Sequence, residues 1–168
     1  MDKRERVNHV YFALFPIIIL LDQAVKARVH SVMEPGQSIP VIRNVFHLSY
    51  VQNTGAAFSF MKGHTKLITI FTGIMLAAIL IYLLVWARDK SGFFTCSLLL
   101  IAGGGVGNLI DRVARGYVVD MFDFRFWPVF NVADIAICVG CVMLVVYLLI
   151  LDRVNCWLIP TLRQILTQ

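Results

Sequence analysis

The sequence predicts an all-α membrane protein, a single domain over residues 1–168 with four transmembrane helices and a small β-rich element on one face. Composition is the first observation behind this. The chain is 59% hydrophobic and 15% charged, with a mean hydropathy of +0.78, whereas a soluble domain has roughly 45–50% apolar and about 25% charged residues. The second is four apolar runs, at about 7–25, 67–87, 93–110 and 135–151, each close to the ~20 residues that cross a hydrocarbon core. Backbone in hydrocarbon must bond to itself, so these runs are expected to be helical. The third is the unequal connections. A short turn at 88–92 joins the second and third runs, while 27–66 and 113–133 are long. With four spans, both long connections fall on one face, and the termini and short turn on the other.

In chain order, MDKRER leads into the first run without an A-x-A-like cleavage site, so the run reads as a retained span. Near its end, Asp22 and Lys26 stand at i and i+4, on one side of the helix. The plainer alternative there is a snorkelling lysine with an intrahelical partner. The first connection holds Pro35-Gly36 and then IPVIRNVFHLSYV, rich in β-branched and aromatic residues, which predicts a strand or hairpin on the membrane surface. Asn53 and Gly55 open a run of small residues suited to a turn close to another chain segment, though alone it reads as a plain turn. The second run carries no charge.

The third run ends in GGGVGNLIDR. Gly103 and Gly107 have the small-x-x-x-small spacing that lets membrane helices approach closely. Asn108, Asp111 and Arg112 follow at i, i+3 and i+4, and Asp111 and Arg112 are expected to pair. A dinucleotide fingerprint is excluded, since no strand precedes the glycines and no acidic ribose ligand follows. The second long connection carries Asp120. At its end Asn131 and Asp134 stand at i and i+3, with Asn131 also a candidate cap for the fourth helix. Tyr11, Tyr82, Trp86, Tyr147 and Trp157 lie toward run ends, as an aromatic belt does.

The net charge of +5 does not point to nucleic acid, because the basic residues sit at the ends of apolar runs. Orientation does not follow from counting. Lys3, Arg4, Arg6, Arg88, Lys90, Arg153 and Arg163 on one face balance Lys26, Arg28, Arg43, Lys62, Lys66, Arg112, Arg115 and Arg125 on the other. The dense N-terminal cluster favours an internal N-terminus. Cys96, Cys138 and Cys141 lie inside apolar runs and Cys156 after the last, so neither a disulfide framework nor a metal site is expected.

Asp120 and Asp134 stand fourteen positions apart, each in apolar surroundings, and carboxylates at a bilayer edge are costly and usually functional. His9, His30, His47 and His64 lie outside the polar clusters, and there is no H-E-x-x-H and no G-x-S-x-G. Zinc and serine protease chemistry are therefore disfavoured. Two carboxylates need neither metal nor nucleophilic side chain. Brought close, they cannot both ionise cheaply, so one accepts a proton from water while the other donates to a carbonyl. That is aspartic protease chemistry. Asp123 competes with Asp120 on sequence grounds alone. A proton-coupled transporter using Asp22, Asp111 and Asp134, or a non-enzymatic assembly factor for acylated proteins, are the other readings. The acids lie at span ends and no repeat is visible, which disfavours the transporter.

D-Q-A-V-K from Asp22, N-T-G-A-A-F from Asn53, G-G-G-V-G-N-L-I-D-R from Gly103, V-V-D from Val118 and F-N-V-A-D from Phe130 closely resemble, in order, the five blocks of the bacterial lipoprotein signal peptidase (signal peptidase II) family. The resemblance implies a four-helix inner-membrane aspartic peptidase, both termini cytoplasmic and the active site at the periplasmic face. It implies cleavage of prolipoproteins before a diacylglyceryl-modified cysteine, no cofactor or metal, a monomer, and inhibition by the cyclic peptide globomycin. By motif, Asp120 and Asp134 are the catalytic pair, and Asp22, Lys26, Asn53, Gly55, Asn108, Asp111, Arg112 and Asn131 shape the site and hold substrate. Gly105 replaces the usual Ala and Met121 the common Phe. The architecture suggests that the first connection forms a platform on the bilayer, that 113–133 closes over the site, and that glycine packing of the third span sets the spacing of the two aspartates.

Overall fold

The computed structural model describes residues 11–55, 65–86 and 91–151, excepting the Leu151 side chain. Four helices and a three-stranded sheet make up the described chain: α1 (Leu14–Val32), β1 (Ser38–Ile42), β2 (Phe46–Asn53), α2 (Thr65–Trp86), α3 (Gly92–Arg115), β3 (Val118–Asp123) and α4 (Val132–Val146), which runs on as a π-helical turn over Tyr147–Leu151. Helix ends follow local chemistry. Ser91 caps α3, its Oγ accepting from Phe94 N, and Gly116 closes the same helix in the left-handed conformation at φ 80°. Asn131 opens α4 with a capping box that it shares with Asp134.

Helix α3 is the centre. It packs against α1, α2 and α4, and its small residues Ala102, Gly103, Gly104, Gly105 and Gly107 are all buried. By contrast α2 buries only Leu76 and Leu83, leaving Phe71 and Leu84 among the side chains turned outward. An apolar exterior around small, close-packed interior residues is what lipid as solvent selects. Three described helices are long and apolar enough to cross a membrane: Thr65–Trp86, Gly92–Arg115 and Val132–Ile150. Helix α1 is continuous, but its apolar run is interrupted by Asp22, Lys26 and Arg28.

The expected surface hairpin is present as β1–β2, but the sheet is larger than the sequence suggested. β3, from the second long connection, pairs antiparallel with β2, giving the order β1-β2-β3. An irregularity between Leu48 and Val51 sets Val51 opposite Asp120. Val29 and Met33 at the end of α1 pack on Tyr50, Val119 and Met121, so the sheet is anchored to the helices directly beside Asp120. Tyr50, 1% exposed, ties three segments, its hydroxyl 2.7 Å from His30 Nδ1 and 3.3 Å from the Tyr117 hydroxyl. Helix α1 reaches Val32, a further two turns beyond the end expected near residue 25, and α3 reaches Arg115 rather than 110. Helical pairing of Asp22 with Lys26 holds the chain regular where its hydropathy falls.

Candidate active site

Asp120 lies in the middle of β3 and is 1% exposed. Its two oxygens are held separately. Asn53 Nδ2 donates to Oδ2 at 2.8 Å and Asn131 Nδ2 donates to Oδ1 at 2.6 Å. Burial is the main force pushing its pKa up, to about 7; the Asn53 hydrogen bond opposes it, and the nearby charge of Asp134 adds to it. Asp134 sits in the first turn of α4. Asn108 Nδ2 donates to its Oδ1 at 2.8 Å and the Asn131 backbone N–H to its Oδ2 at 3.2 Å. Asn131 thus touches both aspartates, once by side chain and once by backbone, while its Oδ1 accepts from Asp134 N. Its role as helix cap and its place at the site are one geometry.

The Asn108 amide has a fixed orientation. Lys26 Nζ, which can only donate, lies 2.9 Å from Asn108 Oδ1, and Asn131 Nδ2 donates to the same oxygen at 3.1 Å. The Asn108 NH2 must therefore face Asp134. Behind it Lys26 is fully buried and pairs with Asp22 at 2.8 Å and Asp111 at 3.3 Å. Gln23, not singled out from sequence, donates to Asp22 and to the Gly107 carbonyl. The expected Asp111–Arg112 pairing is replaced. Asp111 is held by Lys26 and by Arg115, one turn further along the same helix. Adjacent helical residues point about 100° apart, and the i+4 neighbour was the better candidate. The Arg112 guanidinium instead lies within electrostatic reach of Asp134, Asp120 and Asp111. It lines a cavity of about 750 Å³ between the start of α2 and the end of α3.

Gly55, at φ 96°, adopts a conformation that favours glycine, and its N–H donates to Asn53 Oδ1 at 2.9 Å. The turn thereby leaves Asn53 Nδ2 facing Asp120. Asp123 is engaged elsewhere. Arg125 donates to it from both backbone and guanidinium, and Ser49 Oγ lies 3.1 Å away. Burial pushes the Asp123 carboxyl up, but the Arg125 and Ser49 contacts outweigh it and hold it below its usual value. The structure brings Asp120, Asp134, Asn53, Asn108 and Asn131 into one connected network, with Lys26, Asp22 and Asp111 behind it.

Gly104 was missed. A Cβ there would fall well inside contact with the Ala133 carbonyl oxygen, so α3 and α4 approach closely at 104, next to the residue before Asp134. Gly107 faces Asp22 Oδ2, and Gly103 faces Phe15 and Ile18 of α1. At Gly105, where Ala is usual, a Cβ would meet the far end of the Leu76 side chain. Among the described residues, no group of three or more His, Cys, Asp or Glu is arranged to hold a metal ion.

Residues 14–150 match the family model described as signal peptidase (SPase) II. A lipoprotein signal peptidase of Halothermothrix orenii is 49% identical over 132 residues, covering 79% of this chain and 90% of that one. The lipoprotein signal peptidase of Pelotomaculum thermopropionicum is 42% identical over 134 residues, covering 79% and 87%. A solved bacterial membrane enzyme superposes with a TM-score of 0.75 at 28% identity, over 84% of this chain and 94% of its own.

Proposed function

The chain belongs to the signal peptidase II family, and from that premise we propose that Asp120 and Asp134 are the carboxylates with which it cleaves its substrate. Family membership makes the protein a membrane-embedded aspartic peptidase that removes signal peptides from prolipoproteins. The observation that carries the assignment of the pair is Asn131, which donates to both carboxylates from one residue.

Asp120, buried and pushed up to about 7, holds the shared proton and donates it to the scissile carbonyl oxygen. Asp134 takes a proton from the attacking water. The water oxygen bonds to the carbonyl carbon, giving a tetrahedral intermediate. That intermediate collapses as the nitrogen leaves with a proton from the pair. Asn53 and Asn108 fix the carboxylate planes, so little reorganisation accompanies the proton transfers. Arg112 places a cation in the adjoining cavity, whose lining surface is otherwise largely apolar, and that cavity is proposed to receive the substrate beside the pair.

The proposed substrate carries a diacylglyceryl cysteine and is cut on its N-terminal side, with the lipid and the apolar signal helix both held by the bilayer. Helix α1 is proposed as a fourth span. Its 19 residues reach about 28 Å. Leu20 and Leu21 face outward, while Asp22 and Lys26 are fully buried. The topology follows as a monomer in the inner membrane, both termini cytoplasmic, the sheet and aspartates periplasmic. Globomycin is expected to compete for the pair.

A gel-shift assay with purified protein in detergent tests the reading. The diacylglyceryl-modified precursor is expected to be cleaved before its cysteine, as read by mass spectrometry, and the unmodified precursor not to be. Equal cleavage of both precursors would overturn the lipid requirement. A pH series adds a second check. Above about pH 7 Asp120 loses the proton the carbonyl needs, so kcat/KM is expected to fall as pH rises through 7. Activity flat from pH 6 to pH 9 would remove Asp120 as the proton donor.

A further inference from the structure

Each proposed catalytic aspartate is preceded by a residue whose backbone N–H is gripped by a second, non-catalytic carboxylate. Ala133, just before Asp134, donates to Asp22 Oδ1 at 2.9 Å. Val119, just before Asp120, donates to Asp111 Oδ2 at 3.0 Å. The two gripping carboxylates are joined by one cation, because Lys26 Nζ lies 2.8 Å from Asp22 and 3.3 Å from Asp111. The side chains of all three are fully buried. We propose that Asp22, Lys26 and Asp111 form a rigid spacer that sets the separation of Asp120 and Asp134 through the backbone of α4 and β3. The inference rests on the reading of Asp120 and Asp134 as the catalytic pair.

The reasoning is geometric. Asp120 is on a strand and Asp134 on a helix, and the segment between them, 124–130, is irregular except at Phe130, whose backbone bridges to Phe122 of β3 and so ties the entry of α4 to the strand. That bridge holds the two elements at one point and leaves their relative tilt open. They are further pinned to helices: α4 through Asp22 of α1, and β3 through Asp111 of α3. Lys26 then links those two anchors. Its remaining donor goes to Asn108 Oδ1, the group that orients the amide facing Asp134. The same ammonium thus controls both where the pair stands and how one member is held. A carboxylate serves better than an amide at positions 22 and 111, since each must accept from a backbone N–H and from an ammonium at once. Removing a partner from such a buried cluster leaves a charge uncompensated. The informative change therefore keeps the charge and alters the length.

The test uses purified full-length Asp22→Glu and Asp111→Glu, with wild type and Asp120→Asn, in the lipidated-precursor assay. Glutamate retains the charge and the acceptor but adds a methylene, so the spacer lengthens. A misplacement of about 1 Å is expected to lower kcat about 100-fold with KM little changed. The second readout is the high-pH limb of kcat/KM. The charges whose fields act on Asp120 include Asp134, Lys26 and Arg112. With the pair further apart, the field of Asp134 on Asp120 weakens and the limb moves to lower pH. Mere loss of folded enzyme scales the whole profile down and leaves the limb where it was. A lower kcat with a shifted limb supports the spacer. Wild-type kcat in both Glu variants, a lower rate with an unmoved limb, or a failure to fold would each overturn it. If Asp120→Asn itself retains cleavage, the catalytic pair has been misassigned, whatever the Glu variants do.

Discussion

Asp120→Asn and Asp134→Asn are each expected to abolish cleavage of the lipidated precursor, by about a thousandfold or more, while Asp123→Asn retains it. An amide is close in shape to the carboxyl but neither takes a proton from water nor gives one to a carbonyl, and such proton transfers contribute about 10²- to 10⁴-fold. At position 120 the amide keeps one acceptor oxygen for Asn53 or Asn131 and sets its NH2 against the other donor, so some stability is lost along with the chemistry and the folded state is checked for each variant. At 134 the capping box survives in part, because Asn131 Oδ1 still accepts from the backbone of residue 134. Asp123 is bound to Arg125 and Ser49 and has no link to Asn131 or Asn108. Its neutralisation loosens the turn that holds Arg125 at φ 63° without touching the pair. The measurement is gel-shift cleavage over time for variants shown to be folded by size-exclusion profile. Cleavage surviving at either 120 or 134 would end the two-carboxylate mechanism. Cleavage lost at 123 would move the second acid to that position.

Much of this site is legible in the sequence because its logic is helical. Asp22 with Lys26 and Asn131 with Asp134 are spaced at i, i+4 and i, i+3, and the chain delivers each pair to one face without help from tertiary structure. The same arithmetic misleads where a residue chooses among partners. Asp111 has Arg112 beside it in sequence, yet Lys26 from α1 and Arg115 one turn on take its oxygens, because α1 packs on that face of α3. The third strand was not legible for a different reason. VVDMFD carries its acids at the first and second strand faces alike, so no alternation marks it. Its pairing with β2 is long-range, and it resolves the choice between Asp120 and Asp123 only through contacts to Asn53, Ser49 and Arg125. The glycine spacing was read correctly as a packing device, but the partner of each glycine depends on how α1, α2 and α4 surround α3.

Those partners make glycines 103, 104, 105 and 107 of α3 an internal scale, and substitution by alanine is expected to rank them. Gly104→Ala is the most damaging. Its Cβ would occupy the space of the Ala133 carbonyl oxygen, which is backbone of α4 and has no rotamer to escape into. The two helices must separate, carrying Asp134 away from Asn108 and from Asp120. Overpacking of this kind costs about 1–3 kcal/mol of stability, and displacement of a reacting group by about 1 Å costs about 100-fold in rate. Gly107→Ala comes next, with a Cβ 2.5 Å from Asp22 Oδ2, because the clash falls on a carboxylate already engaged by Lys26, Gln23 and the Ala133 N–H. Gly103→Ala meets Ile18 and the Phe15 carbonyl of α1 at 3.2 Å, a milder contact that does not involve α4, and is expected to lower stability more than rate. Gly105→Ala stays close to wild type in both, since the Leu76 methyl it meets at 2.6 Å ends a flexible side chain on the lipid-facing helix α2. Thermal unfolding and precursor cleavage on the same four preparations separate the two effects. The order 104, 107, 103, 105 in lost activity would tie the chemistry to the α3–α4 contact. Equal losses at all four would mean that α3 needs glycine for helix association in general, and that the spacing of the pair is set elsewhere.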